Sequence, residues 1–286
     1  MRVEPQPEVI QFIVSEAKRA GQSVGVVPTM GALHAGHVSL IEAARTECDF
    51  VVVTIFVNPT QFAPGEDFEK YPRTLEDDLR QCEQAGADVV FTPEAATMYG
   101  TDAQTVVKVS ELTQYLEGAQ RPTHFEGVTT VVAKLFNITQ PDKAYFGQKD
   151  FQQQLIIQQM VKDLNWPLQV VCCPIVREPD GLALSSRNRY LTDEQRRQAL
   201  ILRQALDTAE RLAADHQSAA QVEAAMQQLI AGQDGVELEY ALVRNAETLA
   251  AVTESDQPRV ALVAARLGQT RLIDNTLLPP EPQASL

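Results

Sequence analysis

Apolar and polar positions fall into alternating blocks along the first 176 residues, short β-branched runs separated by longer stretches with apolar residues every three or four positions. Residues 8–20 have helical spacing, and SVGVVPTM at 23–30 predicts a strand ending in a glycine-containing turn. A helix is expected over 38–46, followed by a strand over DFVVVTIFVN at 49–58. The next helix is predicted over 74–85, with Thr74 at the N-cap and Glu76, Asp77 and Asp78 in a first turn that favours negative charge. A strand at 87–93, a helix at 128–138, a strand at 143–146, a helix at 150–165 and a strand at 168–176 complete the series. Runs such as VVVTIFV are apolar on both faces, as in a parallel sheet covered by helices. The predicted fold is therefore α/β, a Rossmann-like doubly wound parallel sheet.

The pattern changes after about residue 176. EPDGLALSSRNRYLT mixes turn residues with the cationic pair Arg187 and Arg189. Residues 192–216 and 218–230 read as two helices, and 236–243 and 259–267 as two β-like stretches. These features predict two domains, 1–176 and a smaller α+β C-terminal domain over 177–286. No 20–50-residue repeat occurs, and the closing PPEPQASL reads as disordered.

With 286 residues, 44% of them hydrophobic, the chain can bury a substantial core. Its 38 acidic residues against 24 basic ones give a net charge of -14, which argues against a broad nucleic-acid-binding face but leaves room for a small anion at a local cluster of cations. Cys48, Cys82, Cys172 and Cys173 form neither a disulfide framework nor a CxxC zinc pattern, and the adjacent pair reads as core filling. The opening MRVEPQPEVI lacks an apolar stretch of signal length, and the longest aliphatic runs fall far short of a membrane span, so a cytoplasmic protein is expected.

Candidate chemistry begins with VPTMGALHAGH at 27–37, where a buried strand runs into Met30 and Gly31 and a helix starts near His37. Carboxyl ends of strands are where open α/β sheets bind ligands, and a helix N-terminus offers N–H groups to phosphate. His34 and His37, three residues apart, can both face such an anion. They also fit a metal half-site lacking a nearby third ligand, or ordinary turn histidines. Lys149 follows the apolar AYFG, with Gly147 at the bend and Asp150 at the start of a helix; it suits a phosphate, and equally a solvated loop. Ser185, Ser186 and Arg187 have the chemistry of a polyphosphate clamp and also of a plain turn. Asn58 and Gln61 follow the strongest strand as neutral donors for carboxylate or hydroxyl oxygens, and Arg121 and His124 form a further polar pair. Asp77 and Asp78 point about 100° apart on a helix, do not converge on one ion, and read mainly as first-turn residues. Walker A, GxGxxG and GxSxG patterns are absent.

Four blocks in order resemble the pantoate–β-alanine ligase (pantothenate synthetase) family of the HxGH nucleotidylyltransferase superfamily. They are VPTMGALHAGHVSLIEAAR, TIFVNPTQFAPGEDFEKYPRTLEDDL, EGAQRPTHFEGVTTVVAKLFNITQPDKAYFGQKDFQQ and REPDGLALSSRNRYL. The resemblance implies an AMP-forming ligase that activates pantoate with ATP as an enzyme-bound pantoyl adenylate and then transfers the acyl group to β-alanine. It implies catalytic roles for His34, His37 and Lys149, and ATP contacts from those residues with Met30, Gly31, Gly147, Asp150, Val176, Ser185, Ser186 and Arg187. It also implies pantoate contacts from Gln61, Gln153 and Asn58, and a phosphate and magnesium side at Asp77, Asp78 and Gln81. Mg2+ is expected with ATP, without a dedicated protein-only metal site, and a homodimer and no nucleic-acid or membrane partner are implied. The C-terminal domain is expected to act as a lid that carries the Ser-Ser-Arg loop. Gln148, Thr123 and Leu184 stand where the family usually has glutamate, glycine and methionine. Another nucleotidylyltransferase is the nearest alternative; a catalytically dead sensor would be expected to have lost one of His34, His37, Lys149 or Arg187.

Overall fold

The computed structural model describes residues 1–253 and 257–279, so the segment read as disordered lies, from residue 280 onward, outside the described residues. The chain divides into two compact units, one of Met1–Gln148 with Gln152–Pro174, the other of Lys149–Phe151 with the chain from Ile175 onward.

The first unit runs β1 (Arg2–Glu4), α1 (Pro7–Arg19), β2 (Val24–Thr29), α2 (Ala35–Glu47), β3 (Phe50–Ile55), α3 (Leu75–Gln84) and β4 (Val89–Phe91). It continues through the short helices α4 (Ala95–Met98) and α5 (Leu116–Gln120) to α6 (His124–Thr139), β5 (Lys143–Gly147), α7 (Phe151–Asp163) and β6 (Gln169–Cys173). Its six strands pair in parallel in the order β1-β4-β3-β2-β5-β6. Alternation along β2, β3 and β4 fills two cores. Val24, Val26, Val52, Val89 and Phe91 pack on one face, and Val27, Val51, Val53 and Val90 on the other. Both faces are thus covered, which is why the central strands β2, β3 and β4 are almost uniformly apolar.

Sequence order reverses beside β2. The chain passes from β2 to β3 and β4 on one side, then returns to place β5 and β6 on the other. β2 and β3 are in register from Val24↔Phe50 to Thr29↔Ile55, whereas β2 and β5 are in register only at Gly25↔Lys143 and Val26↔Ala144. Such a reversal, at the carboxyl ends of the strands, is where open α/β sheets bind ligands.

Several local expectations need correction. β1 has only three residues, two of them charged, so its pairing with β4 left no periodic signal. α6 begins at His124, four residues earlier than predicted. Thr74 occupies the N-cap of α3 but makes no side-chain capping bond; its hydroxyl instead lies within 3.2 and 3.3 Å of the two Asp78 carboxylate oxygens. Cys173 is buried, but Cys172 is exposed on the edge strand β6, so only one of the adjacent cysteines fills the core.

In the second unit, residues 176–184 form a hairpin, with the Leu184 amide donating to the Val176 carbonyl at 3.0 Å and Arg177 bridged to Ala183. A 3-10 turn at Ser186–Tyr190 leads to α8 (Asp193–Ala214) and α9 (Ala219–Ala231). Both helices start with reciprocal capping boxes, Thr192 with Gln195 and Ser218 with Gln221. The chain then forms an antiparallel sheet of β7 (Glu237–Asn245), β8 (Arg259–Leu267) and β9 (Thr270–Leu278). The third strand was not anticipated, because RLIDNTLL carries polar residues along half its length; Asp274 and Asn275 are nevertheless buried. Leu202, Leu206, Val222, Met226, Ala241 and Val263 unite helices and sheet in one core.

Truncating a fully buried leucine in such a core costs about 2–5 kcal/mol. Leu206→Ala is therefore expected to lower the unfolding free energy of the second unit by about that amount, as read from urea melts.

Candidate active site

The first unit's site grows from the turn after β2. Gly31 and Ala32 both have left-handed backbones, with φ of 80° and 50°. For alanine this conformation costs roughly 1–3 kcal/mol and persists only where surrounding contacts over-determine it. Those contacts come from three directions. The Gly31 amide donates to Thr29 Oγ1 at 3.2 Å, and that hydroxyl donates to the Thr54 carbonyl of β3 at 2.7 Å. The Ala32 and Leu33 amides donate to Asp78 Oδ2 and Oδ1 at 3.0 and 2.8 Å. Gln81 Nε2 reaches the Leu33 carbonyl at 3.4 Å.

His34 is the N-cap of α2, and its Nδ1 accepts from the Gly36 amide at 3.1 Å. The proton of the neutral ring is therefore on Nε2. The His37 and Val38 amides both donate to the His34 carbonyl, at 2.8 and 3.1 Å. This changes the expected use of the helix N-terminus: the Gly36 and His37 N–H groups are committed within the chain, both to His34. The His34 and His37 rings lie 4.1 Å apart between centroids, tilted by 32°.

Met30 links this turn to the loop after β3, its Sδ accepting from Gln61 Nε2 at 3.0 Å. Gln61 is held from behind. Asn58 Nδ2 donates to Gln61 Oε1 and to the Gly127 carbonyl, both at 3.1 Å. Asn58 Oδ1 in turn accepts from the Thr60 amide, the Thr60 hydroxyl and the Tyr99 hydroxyl. Both amide protons and the carbonyl of buried Asn58 are thus engaged within the chain, whereas the sequence placed it beside the glutamines as a ligand. A Cβ on Gly127 would meet the Thr60 carbonyl oxygen at 2.5 Å, so glycine lets α6 pack directly on this loop.

Arg121 and His124 also converge on Gln61. Arg121 Nη2 and His124 Nδ1 both reach its backbone carbonyl, at 3.2 and 2.8 Å; the carbonyl can only accept, so His124 carries its proton on Nδ1. Arg121 forks onto both Glu66 oxygens at 2.7 and 2.6 Å. Burial alone would raise the Glu66 carboxyl, but its bonds and charge interaction with Arg121 hold it below its ordinary value. Burial, followed by the nearby Arg121 charge, lowers His124 to about 4. Glu66 and Tyr99 had drawn no attention in the sequence, because their roles depend on partners far away in the chain.

The adjacent acids of α3 have opposite environments. Asp78 is only 1% exposed and faces the turn, whereas exposed Asp77 pairs with Arg80. Asp78 is thus not simply a first-turn residue, and both its oxygens are occupied by protein donors. Among the described residues, no group of three or more His, Cys, Asp or Glu side chains could hold a metal ion. Gln153 is half-buried near the start of α7, beside Gln152, which ties that helix to the Leu112 and Tyr115 carbonyls and the Glu117 amide. A Cβ on Gly147, at the end of β5, would meet nothing within 4 Å.

In the second unit, Lys149 and Asp150 lie in a 3-10 turn, and the Lys149 carbonyl accepts from Asn275 Nδ2 at 2.9 Å. Ser185 Oγ accepts from the Arg187 amide at 3.3 Å and caps the turn holding Ser186 and Arg187. Asn188 ties that turn to Glu178 Oε1 and the Ala183 carbonyl. Arg196 forks onto Glu178 and also reaches Asp180, and its hydrogen bond is the main cause holding Glu178 below its ordinary value.

A doubly wound parallel sheet with an HxGH turn at its reversal, followed by a small α+β unit, defines an α/β enzyme of the HxGH class. The sequence profile of pantoate-beta-alanine ligase matches residues 3–277. The chain is 52% identical over 270 residues to the pantothenate synthetase of Desulfitobacterium hafniense, covering 94% of this chain and 96% of that protein. It is 54% identical over 264 residues to that of Acidobacterium capsulatum, covering 92% and 88%. The crystal structure of pantothenate synthetase from Thermus thermophilus superposes with a TM-score of 0.92 at 43% identity, covering 96% of this chain and 99% of that one. The Francisella tularensis pantoate-beta-alanine ligase, solved with beta-gamma ATP and beta-alanine, gives a TM-score of 0.80 at 34% identity and 97% coverage of each chain. The chain belongs to the pantoate–β-alanine ligase family.

The lowered His124 value fixes the sign of a pH effect. Its folded pKa of about 4 lies below the ordinary 6.5, so the unfolded state binds the extra proton first and stability falls as pH drops from about 6.5 towards 4. For this group the loss between pH 7 and pH 5 amounts to about 2 kcal/mol. His124→Gln is expected to remove that part of the pH dependence, as measured by urea unfolding of the first unit at the two pH values.

Proposed function

We propose that this chain condenses pantoate with β-alanine at the expense of ATP, giving pantothenate, AMP and pyrophosphate. The observation that carries this reading is the braced HxGH turn at the sheet reversal, with its two imidazoles side by side, in a member of this ligase family. In the first step a pantoate carboxylate oxygen attacks the α-phosphorus of ATP; the bond to the bridging oxygen breaks and pyrophosphate leaves. In the second, the amine of β-alanine attacks the acyl carbon of the bound pantoyl adenylate. The bond to AMP breaks, and the nitrogen loses a proton. A carboxylate needs this activation because its oxygen is otherwise a poor leaving group. The protein's task in both steps is alignment and stabilisation of charge on phosphate oxygens.

His34 and His37 would serve that purpose at the triphosphate, with Met30 and Gly31 supplying the surrounding backbone and packing. Lys149, Ser185, Ser186 and Arg187 would hold phosphate, and Gly147, Asp150 and Val176 the rest of the nucleotide. The open space at Gly147 supports a close approach of ligand to backbone there. Gln61 and Gln153 would bind pantoate, with Asn58 orienting Gln61 instead of contacting the substrate. Mg2+ would enter with ATP as part of the substrate, and Asp77 and Gln81 are the α3 side chains assigned to that side. In this reading residues 1–176 bind ATP and pantoate, residues 177–286 act as the lid, and the enzyme is a cytoplasmic homodimer. No helix among the described residues is long and apolar enough to cross a membrane.

Pyrophosphate release tests the proposal. Pantoate with MgATP should give a burst of about one equivalent per site, becoming steady turnover with AMP when β-alanine is added. Folded, ATP-binding protein without a pantoate-dependent signal would reassign the chain to another nucleotidyl transfer. His37→Ala and Lys149→Ala should each slow the burst about tenfold to 150-fold with the fold intact, the worth of one charge-assisted contact made in the transition state.

A further inference from the structure

A buried carboxylate supports the turn that carries both histidines, and the proposed mechanism gives it no direct contact with substrate. Burying an ionised carboxylate is unfavourable unless hydrogen bonds replace its water. At Asp78 they do: the Ala32 and Leu33 amides donate to separate oxygens, and the Thr74 hydroxyl lies within reach of both. Gly31, just before this grip, and Ala32, within it, have the two left-handed backbones of the turn, and a Cβ on Gly31 would meet Asp78 Oδ2 at 3.0 Å. The very next residue after Leu33 is His34, whose own carbonyl and ring then build the first turn of α2 and present His37.

We propose that Asp78 is a positioning residue for adenylation. It fixes the backbone at Ala32 and Leu33, and through it the direction of the His34 and His37 rings, and it binds neither metal nor phosphate. The inference rests on the function proposed above for its kinetic consequence, but its structural half stands independently. An amide at this position cannot accept from both backbone N–H groups through two oxygens, so Asp78→Asn releases one of them with almost no change in volume. A small misplacement of catalytic groups can cost on the order of 100-fold in rate.

The experiment compares wild type, Asp78→Asn and Glu76→Gln, the last removing an exposed charge from the same helix. Asp78→Asn should slow pantoate-dependent pyrophosphate release by about tenfold to 100-fold, mainly in the burst rate and not in the KM for ATP; Glu76→Gln should stay within about twofold. Because Asp78 acts through both His34 and His37, adding Asp78→Asn to the double variant His34→Ala with His37→Ala should cost less than about threefold further. Ala32→Gly, which accepts the left-handed backbone without strain, should restore part of the rate lost in Asp78→Asn. If Asp78→Asn does not fold, Thr74→Val provides the milder probe, with a smaller loss that also disappears when both His34 and His37 are replaced by alanine. Hydrogen–deuterium exchange over residues 27–37 should accelerate in the variant. Full additivity with the combined His34→Ala and His37→Ala substitutions, recovery at high Mg2+, or unchanged rate and exchange would each overturn the assignment. If wild type itself showed no pantoate-dependent release, the functional reading would fail, while accelerated exchange in Asp78→Asn would still support the grip on the turn.

Discussion

The reversal of strand order beside β2 is the constraint from which the first unit's site follows. β2 stays in register with β3 to its last residue, but its register with β5 covers only Gly25 and Val26. Backbone polar groups beyond that point still need partners, and at the carboxyl end of β2 they are met largely by side chains. Thr29 bridges the turn to β3, Asp78 holds the two amides after Gly31, and His34 caps the helix that follows. A stretch of backbone that the sheet cannot organise is thus organised by three side chains. That is how a turn with two left-handed residues stays in one conformation and gives α2 a defined starting direction.

The acidic excess of the chain takes on a different meaning in this light. A net charge of -14 suggests a surface property, yet three of the carboxylates act as backbone acceptors at strand ends. Asp142 accepts from the Val24 amide at 2.7 Å and Asp88 from the Val51 amide at 2.8 Å, each also paired with a cation, Lys18 and Arg45. Asp49 accepts from the Ser23 amide and hydroxyl, the bonds that hold its carboxyl below its ordinary value. These acids stand where strands begin, while Asp78 serves the turn where a strand ends. Exposed ion pairs contribute little stability in themselves; a carboxylate that receives an amide at the start of a buried strand also fixes where that strand starts.

The fold was legible wherever burial imposed a period. While the capping boxes that start α8 and α9 emerged only in the structure, β2, β3 and the helices α1, α8 and α9 announced themselves through apolar spacing. β1 and β9 did not, because three residues are too few for a period and because the polar Asp274 and Asn275 are satisfied inside the second unit by Arg177 and by the Lys149 carbonyl. The HxGH turn could be read from its glycines and histidines. Its support could not: Asp78 stands 46 positions from Ala32, and a Leu-Glu-Asp-Asp helix start explains its acids locally without any distant partner.

Matching a family motif identifies a neighbourhood more readily than it separates a group that touches a ligand from one that holds such a group in place. Asn58 and Gln61 are three residues apart and chemically alike, yet Asn58 has its amide protons and its carbonyl engaged within the chain, while its bond to Gln61 orients the other side chain. Asp77 and Asp78 differ more sharply, because one step along a helix turns a side chain by about 100°. One carboxylate meets solvent and Arg80, and the other meets backbone amides in the interior. Arg121 and His124 fall on the supporting side of the same division, both directed at the Gln61 carbonyl from behind. The distinction lies in hydrogen-bond capacity: a polar side chain whose donors and acceptors are already filled by the protein shapes a site, and a substrate needs side chains that retain capacity after folding.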